Sequence, residues 1–155
     1  REKLTSISKY DAIFLTGNEE NTSDIKNSIN KINKDIKIFE SYYKPINVHK
    51  FNIQDNYLMF SGIGNPDSFK KTLLKNKFKI VEEIKFPDHY QYTKKDIKMI
   101  KLRAININAK IITTEKDFVK ISQSDANKIN FLEIDLVIKK QDELVSFIKS
   151  KLWKL

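Results

Sequence analysis

Cysteine is absent from this sequence of 155 residues. That excludes a disulfide framework, a thiolate zinc site and a cysteine nucleophile. Histidine occurs only at His49 and His89, too far apart in the chain to make much of a case for a metal centre. No apolar run approaches the roughly 20 residues that a membrane-spanning helix needs. Arginine is almost missing: of 29 basic residues only Arg1 and Arg103 are arginines. The net charge of +9 invites a nucleic-acid or anionic-membrane reading. The guanidinium suited to bidentate recognition of phosphates and bases is scarce, however, and lysines spread over every element describe a solvated surface rather than a groove. A basic nucleic-acid-binding module therefore stays only as an alternative, and no nucleic-acid partner is expected.

What is present describes a globular protein. Apolar residues make up 40% and aromatics 11%, too much for a disordered chain. A domain of this size buries about two-thirds of its unfolded surface and needs no staple. The opening Arg1-Glu2-Lys3-Leu4 resembles neither a signal nor a transit peptide and reads as a cut-down or mature chain. Apolar runs at Ala12–Leu15, Tyr57–Phe60 and Ile111–Thr113 predict buried strands. Further strands are expected at Ile36–Tyr43, Val48–Ile53, Phe78–Phe86 and Phe131–Ile138. Between them lie helical patterns: Ile25, Ile29 and Ile32 after a cap at Thr22 or Ser23; Phe69, Leu73 and Leu74 after Asn65-Pro66-Asp67; Ile97, Ile100 and Ala104 after a Thr93–Asp96 capping box; and Leu144, Ile148 and Leu152 in a last helix from Asp142 to Trp153. Lys3–Ser8 reads as a short helical turn. Alternation of strand and helix predicts an α/β three-layer sandwich with a largely parallel sheet, folded as one domain over residues 1–155.

Glycine and proline, three of each, point to where chemistry can sit. Gly17, Gly62 and Gly64 each follow a predicted strand, as do Asp88-His89 and the polar run Thr114-Glu115-Lys116-Asp117. In an open parallel sheet these strand ends share one edge, where ligands bind. Ser61-Gly62-Ile63-Gly64-Asn65-Pro66 reads either as a phosphate contact before a helix N-terminus or as a tight turn; it is not a Walker A loop, because no Gly-Lys-Ser/Thr follows. His89 suits general acid or base work, with Asp88 beside it to raise its pKa, or is a surface residue in a turn set by Pro87. Thr114 to Asp117 either meet a nucleotide or partner lobe, or form an N-cap. Of the tyrosines, Tyr42 and Tyr43 read as half-buried packing, whereas Tyr90 and Tyr92 could also stack on a base or an acyl chain. Trp153 reads as a packing or interface residue. Taken without further context, Gly62 and Gly64 also fit a small Rossmann-like nucleotide-binding domain.

Three clusters in fixed order carry a more specific signal. They are Phe60-Ser61-Gly62-Ile63-Gly64-Asn65-Pro66 with Phe69 and Thr72-Leu73, then Phe86-Pro87-Asp88-His89-Tyr90 with Tyr92-Thr93 and Asp96, then Thr113-Thr114-Glu115-Lys116-Asp117 with Val119-Lys120. Together they resemble the C-terminal half of the tetraacyldisaccharide 4'-kinases, the lipid A 4'-kinase family. The resemblance implies the C-terminal lobe of a two-lobed P-loop kinase that moves the γ-phosphate of ATP, with Mg²⁺, to the 4'-hydroxyl of a tetraacylated glucosamine disaccharide. By that implication His89 and Asp88 are catalytic, His89 pairing with an aspartate of the other lobe. Gly62, Ile63, Gly64, Asn65, Thr114, Glu115, Lys116 and Asp117 would face the nucleotide or the cleft. ATP and Mg²⁺ would be held mainly by a Walker-containing N-terminal lobe that, with its membrane helix, is not in this sequence, and no metal ligand is assigned here. Partners would be that lobe and the lipid A disaccharide precursor, with membrane contact through the full enzyme at the cytoplasmic face of the Gram-negative inner membrane. The isolated chain is expected to be inactive.

Overall fold

The computed structural model describes residues 3–17 and 19–152. Trp153 therefore lies outside the described residues. The chain is organised as two compact units, Arg1–Lys44 with Asp135–Leu155, and Pro45–Ile134, where the sequence reads as one uninterrupted domain.

In the first unit a 3-10 helix (Leu4–Lys9) leads into β1 (Ala12–Thr16), α1 (Glu19–Ile32) and β2 (Lys37–Pro45), and β1 and β2 pair in parallel. α1 begins ahead of Thr22 and Ser23, so neither is its cap. Of its apolar stripe Ile29 is buried, whereas Ile25 and Ile32 are exposed.

The second unit is built on a run of parallel strands. A 3-10 turn (Val48–Lys50), where a strand was expected, precedes β3 (Asn56–Ser61), α2 (Pro66–Lys75), β4 (Lys79–Lys85), α3 (Lys94–Asn106), β5 (Lys110–Thr114), the short α4 (Glu115–Phe118) and β6 (Ile129–Leu132). The turn replaces the strand because Val48 and Phe51 both drop onto one core cluster rather than alternating. The sheet order is β4-β3-β5-β6, parallel throughout.

β3 explains why this unit has two cores. Its residues alternate in direction but are nearly all buried, so each face needs a cover. Tyr57 and Met59 pack with Phe69 and Leu73 of α2 and with Phe78, Ile112 and Leu132. Leu58 and Phe60 pack on the other face with Ile97, Ile100 and Ala104 of α3 and with Ile111, Ile121 and Ile129. This is the expected three-layer arrangement, held within one unit. Leu74 does not join the inner face of α2; it is 51% exposed.

The run Phe131–Ile138 is not one strand. It breaks at Glu133 into β6 and β7 (Ile134–Ile138), and β7 joins the first sheet in the order β1-β2-β7. At the break, buried Asn47 accepts the Glu133 N–H at 3.0 Å, and the Ile46 N–H donates to the Glu133 carbonyl at 3.0 Å. The backbone groups of Glu133 are thus spent on the chain entering the unit, which ends the ladder. Returning to the first unit, α5 (Gln141–Leu152) buries no residue fully, and Ile148 and Leu152 are exposed. Of the expected Leu144–Ile148–Leu152 stripe only Leu144 is half-buried, joined by Phe147, whose ring lies 5.4 Å from Phe39.

The predicted capping box is present. Thr93 Oγ1 accepts from the Asp96 N–H, and Asp96 accepts from the Thr93 N–H at 2.8 Å. The Thr93 hydroxyl, then the Thr93 N–H, hold the Asp96 carboxyl below its usual range. A carboxyl with a lowered folded-state pKa contributes stability above its ordinary pKa and loses it as pH falls through the lowered one. Thr93→Ala removes the side-chain cap of α3 and should destabilise the second unit by about 1 kcal/mol near neutral pH. Urea unfolding at neutral pH and below about pH 4 checks this, with the difference between variant and parent expected to shrink in acid.

Candidate functional site at the strand ends of the second unit

The chain enters the sheet at β3, steps outward to β4, then returns to lay β5 on the other side of β3. That reversal makes the carboxyl ends of β3 and β5 a topological switch point, the position where open α/β sheets bind ligands. The expected convergence is present there, within one unit. Gly62 follows β3, Asp117 follows β5, and the Gly62 N–H donates to Asp117 Oδ2 at 3.0 Å across the gap. The segment after β4 closes on the same point: the Phe86 N–H donates to the Ser61 carbonyl at 2.9 Å and the His89 N–H to the Gly62 carbonyl at 3.1 Å. Gly17 belongs to the other unit, where its N–H donates to the Ser41 carbonyl at 3.0 Å.

The local sequence accounts for each placement. Pro87 ends β4 and starts a turn, and His89 completes it in the left-handed region with φ 60°. That conformation is uncommon for a residue other than glycine, and local hydrogen bonds help to hold it. Here the His89 N–H has two acceptors, the Gly62 carbonyl and, at 3.0 Å, Asp88 Oδ1. The imidazole itself is 90% exposed, with Nε2 3.8 Å from Asp88 Oδ2. A fixed backbone thus presents a solvated imidazole.

The glycines are explained by packing against this turn. Neither has a positive φ. A Cβ at Gly62 would lie 2.9 Å from the Tyr92 hydroxyl, 3.1 Å from Tyr90 Cβ and 3.2 Å from the Pro87 carbonyl; one at Gly64 would lie 3.0 Å from Asp88 Oδ2. The close approach that glycine permits is therefore used by the chain's own His89 turn. Gly62→Ala should destabilise the unit by about 1–3 kcal/mol through overpacking, read as a lowered denaturation midpoint. Gly64→Ala should cost less, since only the exposed end of Asp88 has to swing away.

Burial separates the remaining candidates. Glu115 and Lys116 are exposed on α4, Gly64 and Asn65 are exposed at the start of α2, and Thr114 and Ile63 are half-buried. Asn65 caps α2 by accepting the Ser68 N–H at 3.0 Å, and Ile63 packs on the α2-side core. Gly62 is buried and Asp117 is 0% exposed; these two do not face a cleft, and this corrects the expectation for both. Asp117 sits beneath the rim because α4 begins directly at the end of β5 with Thr114 as its cap. Thr114 Oγ1 accepts the Asp117 N–H at 3.1 Å and donates to Asp117 Oδ2 at 2.8 Å, while Lys120 Nζ reaches Oδ1 at 3.1 Å. A buried carboxylate is tolerable only when paired and hydrogen-bonded, and Asp117 is both.

Under the His89 turn lies an aromatic cluster. Tyr92 is 5.4 Å from Phe60 and 5.1 Å from Phe86, and Phe86 is 4.7 Å from Tyr90. Tyr90 and Tyr92 thus serve as packing. Tyr90 donates to Asp96 Oδ2 at 3.2 Å. The Tyr92 hydroxyl is buried with no partner in hydrogen-bonding geometry; burial first, and the nearby Asp117 charge second, push its pKa far up. It is a neutral phenol at any physiological pH. The sequence offered Tyr92 as a stacking residue and placed Lys120 beside the Thr114–Asp117 run, but not as the neighbours of Asp117 that they are; for Lys120 the signal was the i+3 spacing that a helix turns into a contact.

Among the described residues no three His, Asp or Glu side chains are grouped to hold a metal, and both oxygens of Asp117 are already engaged. The donor set among the described residues does not fit a Mg²⁺ ion.

The profile of the family described as LpxK, tetraacyldisaccharide-1-P 4'-kinase, matches residues 1–153. The chain belongs to the LpxK family. Tetraacyldisaccharide 4'-kinase from Pelagibacter ubique is 42% identical over 146 residues, covering 94% of this chain and 46% of that protein. The enzyme of that name from Rickettsia bellii is 37% identical over 147 residues, covering 94% and 43%. A crystal structure of LpxK from Aquifex aeolicus in complex with ATP superposes with a TM-score of 0.62 at 19% identity, covering 97% of this chain and 45% of that one; at that identity it establishes the shared fold. The chain spans about half the length of the LpxK relatives it matches.

Proposed function

We propose that this chain is the C-terminal lobe of a lipid A 4'-kinase, presenting His89 to a nucleotide held by an N-terminal P-loop lobe. The observation that carries the reading is an exposed imidazole whose backbone is tied to Gly62 at the switch point of a parallel sheet. Phosphoryl transfer asks little covalent chemistry of a protein beyond positioning and charge stabilisation. In this reading the 4'-hydroxyl of the tetraacyl glucosamine disaccharide docks on the rim. His89 orients it and takes its proton as the hydroxyl oxygen bonds to the γ-phosphorus of ATP, the γ-phosphorus–oxygen bond breaks, and ADP leaves. An aspartate of the other lobe would hold the imidazolium, with Asp88 as a solvated neighbour. Mg²⁺, supplied and held by the other lobe, would neutralise phosphate charge. Membrane contact through the rest of the enzyme would place the reaction at the cytoplasmic face of the Gram-negative inner membrane.

The test is transfer of labelled γ-phosphate to the tetraacyl disaccharide. A chain of the relatives' full length carrying these residues should place label on the 4'-oxygen, and the isolated 155-residue chain should place none. ATP consumption without labelled lipid, or turnover by the isolated chain, would contradict the reading.

A further inference from the structure

We infer that Asp117 is a positioning residue for His89, acting through Gly62, whose N–H it holds and whose carbonyl holds His89. The inference rests on the role proposed for His89. Three observations support it, all in one unit. The Asp117 carboxylate is fully buried, so it can touch neither substrate nor solvent. Its Oδ2 accepts from two donors, the Thr114 hydroxyl at 2.8 Å and the Gly62 N–H at 3.0 Å, and its Oδ1 takes Lys120 at 3.1 Å. Gly62 then accepts the N–H of His89, a residue held at φ 60°.

A simple helix cap explains only part of this. The cap of α4 is the Thr114 hydroxyl accepting the Asp117 N–H, and it needs no carboxylate at position 117. A carboxylate buried there costs desolvation that a short helix does not repay, whereas it fixes the Gly62 N–H, which lies between the Ser61 and Gly62 carbonyls that join the end of β3 to the segment after β4. Gly62 cannot hold itself: glycine is the residue with the most backbone freedom. Fastening its N–H fixes the Ser61–Gly62 peptide plane, whose carbonyl accepts the Phe86 N–H, and so narrows where the next plane can place the Gly62 carbonyl that accepts from His89. Asp117 therefore sets where the imidazole stands without approaching it.

The test is a double-mutant cycle in a full-length enzyme carrying these residues, paired with amide hydrogen exchange. Asp117→Asn should lower kcat about 10- to 100-fold with KM little changed, as expected for a misplaced catalytic group. In a His89→Ala background the same change should have almost no further effect, because its route is already cut. Exchange of the His89 amide should accelerate by about tenfold or more in Asp117→Asn while the Met59 amide stays protected; a merely structural role would accelerate both together. If Asp117→Asn does not fold, Thr114→Val, which removes one donor to Oδ2, should give the same pattern more weakly. Multiplying effects in the double variant, or an unchanged His89 amide in the variant that folds, overturns the inference. A His89→Ala enzyme that keeps parental kcat, by contrast, sinks the proposed function itself and is read from a different arm of the cycle.

Discussion

Phe60→Ala should lower the unfolding free energy of the Pro45–Ile134 unit by about 3–5 kcal/mol, the range for emptying a large aromatic from a packed core. Phe60 is 0% exposed on the penultimate position of β3. Its ring meets Tyr92 edge-on at 5.4 Å and Phe86 at 6.4 Å, while its carbonyl accepts the Thr113 hydroxyl at 2.8 Å. The cavity cannot collapse easily, because its walls are α3, fixed by its own cap, and the His89 turn, fixed to Gly62. Chemical denaturation monitored by tyrosine fluorescence reads the loss directly. A drop under about 1 kcal/mol would mean that the turn is not seated on this ring.

His89→Ala should do the opposite: leave stability within about 0.5 kcal/mol and lower kcat in the full-length enzyme by about 10²- to 10⁴-fold. The imidazole is solvated and touches no core residue, so its removal opens no cavity. KM should move little if the imidazole acts on the transferring proton rather than on binding. His49→Ala is the control, an exposed histidine of the Val48–Lys50 turn, and should leave turnover unchanged. A His89→Ala enzyme with parental kcat would remove the group on which the proposed chemistry depends.

These two residues also mark how far the sequence could be read. Phe60 lay in a short apolar run closed by Ser61-Gly62, and such a run between turn signals specifies a doubly covered strand with little ambiguity. The capping signals at Asn65, Thr93 and Thr114 were equally legible, because a cap is a local exchange of hydrogen bonds written within four residues. The break at Glu133 was not. Phe131 to Ile138 is apolar but for Glu133 and Asp135 and reads as one strand; what divides it is Asn47, far away in sequence, taking the Glu133 N–H. Likewise α5 carries a regular stripe, yet its inner contact is fixed by Phe39 rather than by its own periodicity.

At the site, order along the chain placed Gly62, His89 and Asp117 on one edge, since parallel strands must end together. It could not assign depth. Asp117 reads as one more charged residue in Thr-Glu-Lys-Asp, and only the helical turn after Thr114 rotates its carboxylate inward while leaving Glu115 and Lys116 outside. The glycines, read as room for a ligand or a tight turn, give room to Tyr90, Tyr92 and Asp88. Both shifts have one cause: the neighbours that decide them arrive from other strands.

The most direct measurement is a crystal structure of a full-length LpxK enzyme carrying these residues, bound to a non-hydrolysable ATP analogue and the disaccharide acceptor. The account predicts the His89 imidazole within hydrogen-bond reach, roughly 3 Å or one bridging water, of the acceptor 4'-hydroxyl, with the Gly62 carbonyl still accepting its N–H. Finding the acceptor hydroxyl served by another group, with His89 turned to bulk solvent beyond one water's reach, would contradict it.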